Sequence, residues 1–378
     1  MKFFYTILLL FATSIFGQEK LELSNQAVVS VLTCAPGHNE LYSSFGHSAI
    51  RVKDPIHQLD RVYNYGTFDF NKPNFYLNFC RGLLLYQVSS YDFKYFPYEY
   101  YKQNRWIKAQ NLNFTKEENQ KIFDYLEWNV LPENKDYQYD FFYDNCATKM
   151  HEVIEKSVGK IEFDYSEFPK NLTHRDLIHQ YLSKNSWSKF GIDLALGAVI
   201  DKKANLKQYM FLPDYVHLGL ANSNINGKKI VAKEDYILPD YDLKMPKTNF
   251  FLSPFFLALI LISITYYLRI FKKNTNFWFN TIAITYGVLG LVIFSLWFLT
   301  EHSTTKMNMN ILWANPILIA YPFIKEQWRK IICYLGFLLL GIFLFVAITG
   351  FQKFDFSFYI LAVTLVPIYL KPLLTFKV

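Results

Sequence analysis

Hydrophobic and polar positions divide the chain into three parts. Apolar residues dominate positions 3–15 and return from position 249 to the C-terminus, whereas the region between mixes apolar and polar positions. The first run, with Lys2 before it and small residues up to Gly17, is typical of a signal peptide over residues 1–17, with an uncleaved anchor as the alternative. Both interpretations predict that residues 18–248 are exported.

The C-terminal part, residues 249–378, contains five apolar segments. A helix needs about 20 apolar residues to span a bilayer, so two of the five segments are short. Prolines within the third and fifth segments indicate irregular helices that pack inside a bundle. We therefore expect an all-α membrane domain with about five transmembrane helices, at residues 250–268, 277–299, 310–324, 331–350 and 356–370.

Basic residues predict the orientation of this domain. They follow the first, third and fifth apolar segments, and cytoplasmic loops are the ones enriched in Lys and Arg. The C-terminus is then cytoplasmic, and residues 18–248 lie in the periplasm, outside a multi-pass protein of the inner (cytoplasmic) membrane. The residues concerned are Arg269, Lys272, Lys273, Lys325, Arg329, Lys330, Lys371 and Lys377.

The exported part reads as an α+β domain. Short β-branched or alternating runs predict strands, and Thr115 with Glu118 forms a capping-box pattern before a helix. A second helix begins at Cys146 and ends before Gly159, while residues 192–200 form either a buried helix or a loop. The predicted strands are 27–33, 47–52, 61–66, 83–90 and 105–112, and the predicted helices are 116–130 and 146–158.

Composition excludes several classes of function. The chain is 52% hydrophobic and 19% aromatic, and its net charge of +7 arises in part from basic residues at span ends. That charge is a topology signal, so no nucleic-acid partner is predicted. The sequence has no glycine-rich phosphate loop and no paired-cysteine zinc motif, and its histidines lack ligand spacing. Neither a metal nor a cofactor is expected.

Three of the four cysteines, Cys34, Cys80 and Cys146, belong to the exported part, and Cys333 lies in the fourth apolar segment. Cys34 and Cys80 either form a disulfide or remain buried free thiols. Cys146 follows a turn at Asp144-Asn145 and opens a predicted helix. Helix N-termini favour thiolates, and their N–H groups can bind an oxyanion, so Cys146 is a candidate nucleophile rather than a structural cysteine.

His47 is the candidate base for Cys146. It begins a predicted strand, and a hairpin loop centred near Ile56 would place it opposite Asn64 and Tyr65. Asn64 is the preferred residue to orient the imidazole, with Tyr65 and Asp69 as rivals. A histidine that only satisfies strand packing is the alternative interpretation.

Three further residues are candidates for substrate binding. Arg51 shares a strand face with His47 and would bind a phosphate, unless it is only a solvated surface arginine. Asn145 adjoins the nucleophile, although a helix cap is its more common role. His302 lies at the predicted outer mouth of the second and third spans, where it would line a lipid path or belong to an ordinary loop.

The order of these residues resembles a known family. A strand histidine, a polar residue on the next strand and an Asn-Cys pair at a helix start resemble the circularly permuted papain-like (NlpC-type) superfamily. Three segments followed by a multi-span C-terminus are similar to the Bacteroides-type lipoprotein N-acyltransferase family, Lnb. The segments are 32–37 (LTCAPG), 44–52 (SFGHSAIRV) and 144–146 (DNC).

The resemblance implies an enzyme that transfers an acyl chain from a membrane phospholipid to a lipoprotein. Cys146 would carry the chain as a thioester, His47 would move the proton, and the acceptor would be the N-terminal amine of a lipidated cysteine. A membrane-anchored cysteine peptidase or amidase acting on peptidoglycan is the alternative enzyme. A non-catalytic sensor or scaffold is the third hypothesis.

Overall fold

The structure is a computed structural model that describes residues 20–242, 244–271 and 274–374. The predicted signal peptide at 1–17 lies outside the described residues, as do Lys272, Lys273 and Lys377 of the topology argument. Within the described residues, the chain combines an N-terminal sheet domain with a C-terminal helical region, which confirms the expected mixed fold class.

The centre of the exported part is a seven-stranded antiparallel sheet. Its strand order is β6-β4-β3-β2-β1-β5-β9, so the first three strands of the sequence are neighbours in a meander. The two remaining strands, β7 and β8, form a separate small hairpin. The strands are β1 Val28–Cys34, β2 His47–Asp54, β3 Leu59–Thr67, β4 Leu85–Asp92, β5 Ile107–Leu112, β6 Asp136–Gln138, β7 Asn224–Ile225, β8 Lys228–Lys229 and β9 Val231–Leu238.

Helices of the exported part cover one face of this sheet. The face carries Val31, Ile50 and Tyr63, which are fully buried in one core with Met150 and Ile154 of the helix that follows Cys146. Burial of this apolar face is the main stabilising contribution to the domain. The helices are α1 Phe75–Arg81, α2 Tyr98–Lys102, α3 Lys116–Asn129, α4 Cys146–Ser157, α5 His174–His179, α6 Trp187–Ala195 and α7 Pro213–Ala221.

All five predicted strands and both predicted helices form, with small shifts at their ends. The predicted capping box is present at α3, where Thr115 Oγ1 accepts from the backbone N–H of Glu118 at 3.2 Å and Glu118 Oε2 accepts from that of Thr115 at 2.8 Å. Residues 192–200 were expected to form either a buried helix or a loop, and the structure combines the two. The helix α6 ends at Ala195, and a 3-10 helix follows at Ala198–Asp201.

Four helices of the C-terminal region are long and apolar enough to cross a membrane, within the described residues. The last of the four bends at Thr364 between two shorter helices. They are α8 Pro254–Phe271, α9 Asn276–Phe298, α10 Glu326–Thr349 and the pair α11 Phe356–Val363 and α12 Leu365–Leu374.

The third predicted span is not one continuous α-helix, as its prolines indicated, and the number of about five transmembrane helices stays a prediction. It consists of 3-10 helices at Met309–Leu312 and Pro316–Ala320. Pro316 has no N–H to donate to a helix, and Asn315 Oδ1 instead accepts from the backbone N–H of Ile317 at 3.0 Å. The Asn-Pro pair therefore interrupts the helix within this apolar segment, and its asparagine caps the 3-10 helix that follows.

The directions of α9 and α10 show that this segment still runs the length of the bundle. In the loop after α9, the hydroxyl of Ser303 donates to Asp140 of the exported part at 2.6 Å. In the loop after α10, Lys353 pairs with Asp176 of the exported part, also at 2.6 Å. Both helices thus run toward the sheet domain. The segment between them must return in the opposite direction.

Contacts at its two ends mark this return passage. Asn308 donates through Nδ2 to the carbonyl of Leu194 in the exported part at 2.8 Å. At the far end, Arg329 in the first turn of α10 donates through Nε to the carbonyl of Tyr321 at 3.1 Å. Within the described residues, the chain therefore makes five passages through the bundle, four as long helices and one as an irregular segment packed among them.

A buried ion network joins the bundle to the exported part. The fully buried guanidinium of Arg175 donates to Asp193 at 2.8 Å and to Asp201 at 2.9 Å. Lys189 bridges Asp193, at 2.6 Å, to Asp355 in the loop before α11, at 3.0 Å. Of these ion pairs, Lys189–Asp355 is the one that crosses between the two parts, so their separation would leave Asp355 without this partner.

We predict that Gly290→Ala destabilises the bundle by about 1–3 kcal/mol, the usual cost of overpacking. A β-carbon at Gly290 of α9 would lie 2.1 Å from the carbonyl oxygen of Ala314 in the irregular segment. Thermal unfolding of the purified protein in detergent should show a lower midpoint. Gly341→Ala is the matched control, because a β-carbon there meets nothing within 4 Å. Equal midpoints for both variants would contradict the close packing.

Candidate active site

The start of α4 holds Cys146 in place through the side chain of Asn145. Asn145 caps the helix, and its Oδ1 accepts from the backbone N–H groups of Ala147 and Thr148, both at 2.9 Å. The expected N-terminal placement of Cys146 is present. Both amides are engaged by Asn145, and the oxyanion-binding role of the first-turn N–H groups stays a prediction.

The other end of the Asn145 side chain is also occupied. Its Nδ2 donates to the carbonyls of Phe141 at 2.8 Å and Phe211 at 2.7 Å, and the residue is buried. All hydrogen-bonding positions of this amide that a ligand would use are taken. The candidate substrate-binding role of Asn145 is therefore not supported, and the residue acts as a cap that ties three segments together.

Cys146 lies against an opening between β2 and β3. The two strands pair as far as Ile50 and Tyr63, and β3 shifts its register with β4 over residues 64–67. Gly66 lies in this stretch with φ of 84°, a conformation that favours glycine, and a β-carbon there would stand 3.6 Å from that of Cys146. The backbone conformation at this irregular strand end therefore favours glycine beside Cys146, and no local pattern in the sequence marked Gly66.

His47 and Asn64 meet at this opening. His47 Nε2 lies 2.6 Å from Asn64 Oδ1, and Asn64 Nδ2 donates to the hydroxyl of Tyr91 at 3.3 Å. An oxygen acceptor at Nε2 requires a proton on that nitrogen, which leaves Nδ1 to exchange a proton with a neighbour. The structure therefore brings together the two side chains that the hairpin argument placed opposite each other.

The two rival orienting residues lie elsewhere. Tyr65 is buried in the core, where its hydroxyl donates to Asn129 at 2.7 Å. Asp69 accepts from the backbone N–H of Asn71 at 2.9 Å in the loop after β3. Neither side chain has a hydrogen bond to His47 among the described contacts, so Asn64 remains the candidate.

The electrostatics of the site favour a thiolate-imidazolium pair. Burial opposes ionisation of Cys146, but the charge and hydrogen bond of His47, with the backbone N–H groups of Ser48 and Ala147, lower its pKa below the usual value. Burial likewise disfavours the imidazolium, but Cys146 and the hydrogen bond to Asn64 raise the pKa of His47. Opposite shifts of this kind are found where a cysteine acts as a nucleophile.

Cys34 is a neutral thiol next to this pair. It is the cross-strand partner of His47, and burial raises the pKa of Cys34 to about 12. Cys34 and Cys80 are both free in the structure, so the disulfide alternative is wrong. Cys80 is exposed on α1 rather than buried. Of the three exported cysteines, the site therefore favours Cys146 as the nucleophile.

A cavity of about 150 Å³ opens onto the pair. Its other side chains are mainly aromatic, and no Asp, Glu, Lys or Arg is among the described residues that line it. Such a surface binds apolar groups and excludes water from the thiolate. The aromatic lining residues are Tyr42, Phe45, Phe68, Tyr86, Tyr139, Phe141 and Phe211.

Arg51 does not serve the site as a phosphate ligand. Its guanidinium makes two hydrogen bonds with Asp60, at 2.7 and 2.6 Å, and lies 3.6 Å above the ring of Phe93. A bidentate partner and a ring face occupy the groups that would bind an anion. The second candidate binding role is thus also corrected.

His302 lies outside the cavity. It follows Glu301, whose backbone N–H donates to the carbonyl of Arg81 at 2.7 Å, and a β-carbon on Gly82 would stand 2.5 Å from the backbone nitrogen of His302. The loop after α9 therefore packs on the end of α1. His302 is not among the residues that line the cavity at Cys146, so the structure does not support its predicted binding role.

The described residues contain no group of three or more His, Cys, Asp or Glu side chains that could hold a metal ion. The chemistry available at the opening is therefore that of Cys146, His47 and Asn64. Side chains of these types can supply a nucleophile, a proton carrier and a group that orients the carrier.

Comparison with family models covers most of the chain. The model described as the Lnb N-terminal periplasmic domain matches residues 17–180, and the one described as the Lnb transmembrane domain matches residues 246–375. The chain belongs to the Lnb family. No curated protein and no solved structure matches it. This Lnb protein is a membrane protein whose sheet domain is periplasmic, as the charge pattern predicted.

Alkylation by iodoacetamide should report the ion pair. We expect the midpoint of the pH profile for Cys146 to lie below the usual value for a thiol. His47→Ala should raise this midpoint, because burial then acts on the thiolate without the stabilising imidazolium. Asn64→Ala should raise it less, because His47 remains but loses the hydrogen bond that raises its pKa. Mass spectrometry follows each site, with Cys80 as the internal reference. Unchanged midpoints would contradict the pairing.

Two substitutions of Asn145 separate its roles. Asn145→Ala removes the cap and leaves two carbonyls without donors, so we expect a loss of about 1–3 kcal/mol in stability. Asn145→Asp keeps an acceptor for the helix but places a carboxylate against the carbonyls of Phe141 and Phe211. Equally large losses in the two variants, measured by thermal unfolding, would show that the Nδ2 contacts dominate. Full stability of Asn145→Asp would show that the cap dominates.

Proposed function

We propose that this Lnb-family protein transfers an acyl chain from a membrane phospholipid to the N-terminal amine of a lipidated lipoprotein cysteine. The observation that carries the proposal is the Cys146-His47 pair at the floor of an uncharged aromatic cavity. His47 at the start of β2 and Leu238 at the end of β9 lie at the same end of the sheet, and the linker from Leu238 leads to α8, so this end of the strands faces the bundle. Family membership supports the same reaction class.

In the first half-reaction, the Cys146 thiolate attacks the carbonyl carbon of a phospholipid ester. A C–S bond forms, the ester C–O bond breaks, and the imidazolium of His47 gives its proton to the departing lysophospholipid alkoxide. The products are an acyl thioester on Cys146, neutral His47 and a lysophospholipid. Asn64 keeps the imidazole in the orientation that this transfer requires.

In the second half-reaction, the neutral amine of the lipoprotein attacks the thioester carbonyl. An amide C–N bond forms, the C–S bond breaks, and His47 accepts the proton that the amine loses. This step regenerates the thiolate and the imidazolium. The aromatic cavity favours the amine over water, because it limits access of water to the thioester.

The same features disfavour a peptidoglycan peptidase or amidase. Peptide stems and sugars are polar, and a site that binds them needs polar side chains with free hydrogen-bonding groups. The cavity offers mainly aromatic rings, three of which carry hydroxyl groups (Tyr42, Tyr86 and Tyr139), and its one side-chain amide, Asn145, is saturated. A hydrolase would also gain nothing from five passages through a membrane.

Mass spectrometry of lipoprotein N-termini provides the test. Cells in which the gene is deleted should lack the N-linked acyl chain, and the wild type should restore it. Cys146→Ala should restore none, because the nucleophile is removed, whereas His47→Ala should lower transfer about 10²-fold or more, the usual contribution of a general base. Cys34→Ala is the matched control and should restore acylation.

Two results would contradict the proposal. Normal N-acylation in the deleted cells, with no second copy of the gene, would exclude the reaction. Altered muropeptides in the deleted cells, corrected by the wild type and not by Cys146→Ala, would favour the peptidoglycan enzyme instead.

A further inference from the structure

The segment between β3 and β4 exposes an apolar surface beside the cavity, and we name it the aromatic patch. None of the α1 residues is buried, although that helix has one charged residue, Arg81, in its last turn. A soluble domain rarely leaves so many large apolar side chains in contact with water. The patch consists of Phe68, Phe70, Phe75, Tyr76, Leu77 and Phe79.

Ring contacts hold the patch together. The ring centroid of Phe70 lies 4.8 Å from that of Phe68 and 5.0 Å from that of Phe75. The nearby Lys72 is paired with Asp136 at 2.7 Å, so its charge is directed to the sheet domain. The patch is therefore a preformed apolar surface, with Lys72 paired beside it and Arg81 at the end of α1.

The patch is continuous with the outer end of the bundle. The end of α1 receives the backbone hydrogen bond from Glu301, three residues after the end of α9. There, Phe298 and Leu299 are exposed, and the ring of Phe298 stacks on that of Trp297. Aromatic residues at the end of a spanning helix mark the level of the lipid headgroups. The patch consequently lies at the same level.

The patch is also continuous with the catalytic cavity. Phe68 belongs to both, and its ring lies 5.3 Å from that of Tyr86, which in turn stacks at 4.4 Å on Tyr139 in the cavity wall. A second cavity of about 200 Å³ runs between α1 and β4, and Phe75, Phe79 and Tyr86 line it. Aromatic side chains thus lead from the exposed face of α1 through Phe68 and Tyr86 to the cavity at Cys146, while Lys72, Asn78 and Asp136 also line the second cavity.

We infer that the aromatic patch inserts into the outer leaflet and that the acyl chain of a phospholipid passes along it, sideways from the bilayer, to reach Cys146. The contact with the membrane is inferred from the exposed apolar surface alone, whereas the identity of the ligand as a phospholipid acyl chain rests on the proposed function. An exposed apolar surface at headgroup level is stabilised by insertion, because its apolar area leaves water. The donor then never has to leave the bilayer completely.

A fluorescence experiment tests the membrane contact without any catalysis. In full-length Cys146→Ala protein, Cys80 on α1 is the remaining exposed cysteine of the described residues, since Cys34 and Cys333 are buried. An NBD label on Cys80 should be quenched in vesicles that contain doxyl-labelled phospholipid. The control carries the label on Ile56→Cys, at the far hairpin, with Cys80→Ser, and should not be quenched. Equal, low quenching at both positions would overturn the inference.

A matched pair of substitutions tests the passage. Leu77 and Ile56 have exposed fractions of 57% and 58%, but Leu77 lies in the patch and Ile56 in the far hairpin. Leu77→Asp should slow transfer from vesicle phospholipid at least about tenfold, since removing one large apolar side chain from lipid costs that factor or more. Ile56→Asp should not.

A soluble short-chain ester separates this inference from the proposed function. Leu77→Asp should acylate Cys146 from that ester at the wild-type rate, because such a donor needs no membrane path. Equal slowing with both donors would overturn the passage and indicate damage to the site. Quenching at Cys80 without acylation of the wild type from phospholipid would retain the membrane contact and reject the phospholipid as donor.

Discussion

The site depends on the balance between two effects on Cys146 and His47. Burial favours their neutral forms, whereas their mutual attraction and their hydrogen bonds favour the charged forms. Burial alone would neutralise each group, and their mutual attraction, the backbone N–H groups at the thiolate and the amide of Asn64 outweigh it. The geometry is demanding, because α4 must begin at the place where β2 and β3 part. Asn145 fulfils that requirement, since its four hydrogen bonds join the helix start to the chain before it and to the carbonyl of Phe211.

The same domain is oriented by its attachment to the bundle. The irregular passage between α9 and α10 brings Asn308 against the carbonyls that end α6, and the ion pairs Lys189–Asp355 and Lys353–Asp176 also join the two parts. Because buried charges and amides have little tolerance for displacement, the domain is held in one orientation. Its cavity and aromatic patch consequently lie beside the outer ends of the spanning helices, where an apolar substrate is available.

Local patterns predicted much of this arrangement. Alternation of apolar and polar residues identified the strands. The capping box at Thr115 and the turn before Cys146 identified two helix starts, and the distribution of lysine and arginine indicated the topology. Residues whose role depends on a distant partner were less predictable. Arg51 satisfies Asp60 and Phe93, and His302 packs on α1, because a side chain binds the nearest suitable group and sequence spacing does not reveal which group that is.

The sequence by itself determined the two-part organisation, the periplasmic side and the pairing of a strand histidine with a helix-start cysteine, since each follows from periodicity, charge or turn chemistry within a short stretch. Only the tertiary structure decided that Cys34 is a neutral neighbour, that Gly66 lies beside Cys146 and that seven aromatic rings surround the thiolate. Those features arise from contacts between segments far apart in the chain, and such contacts leave no periodic signal in a single sequence.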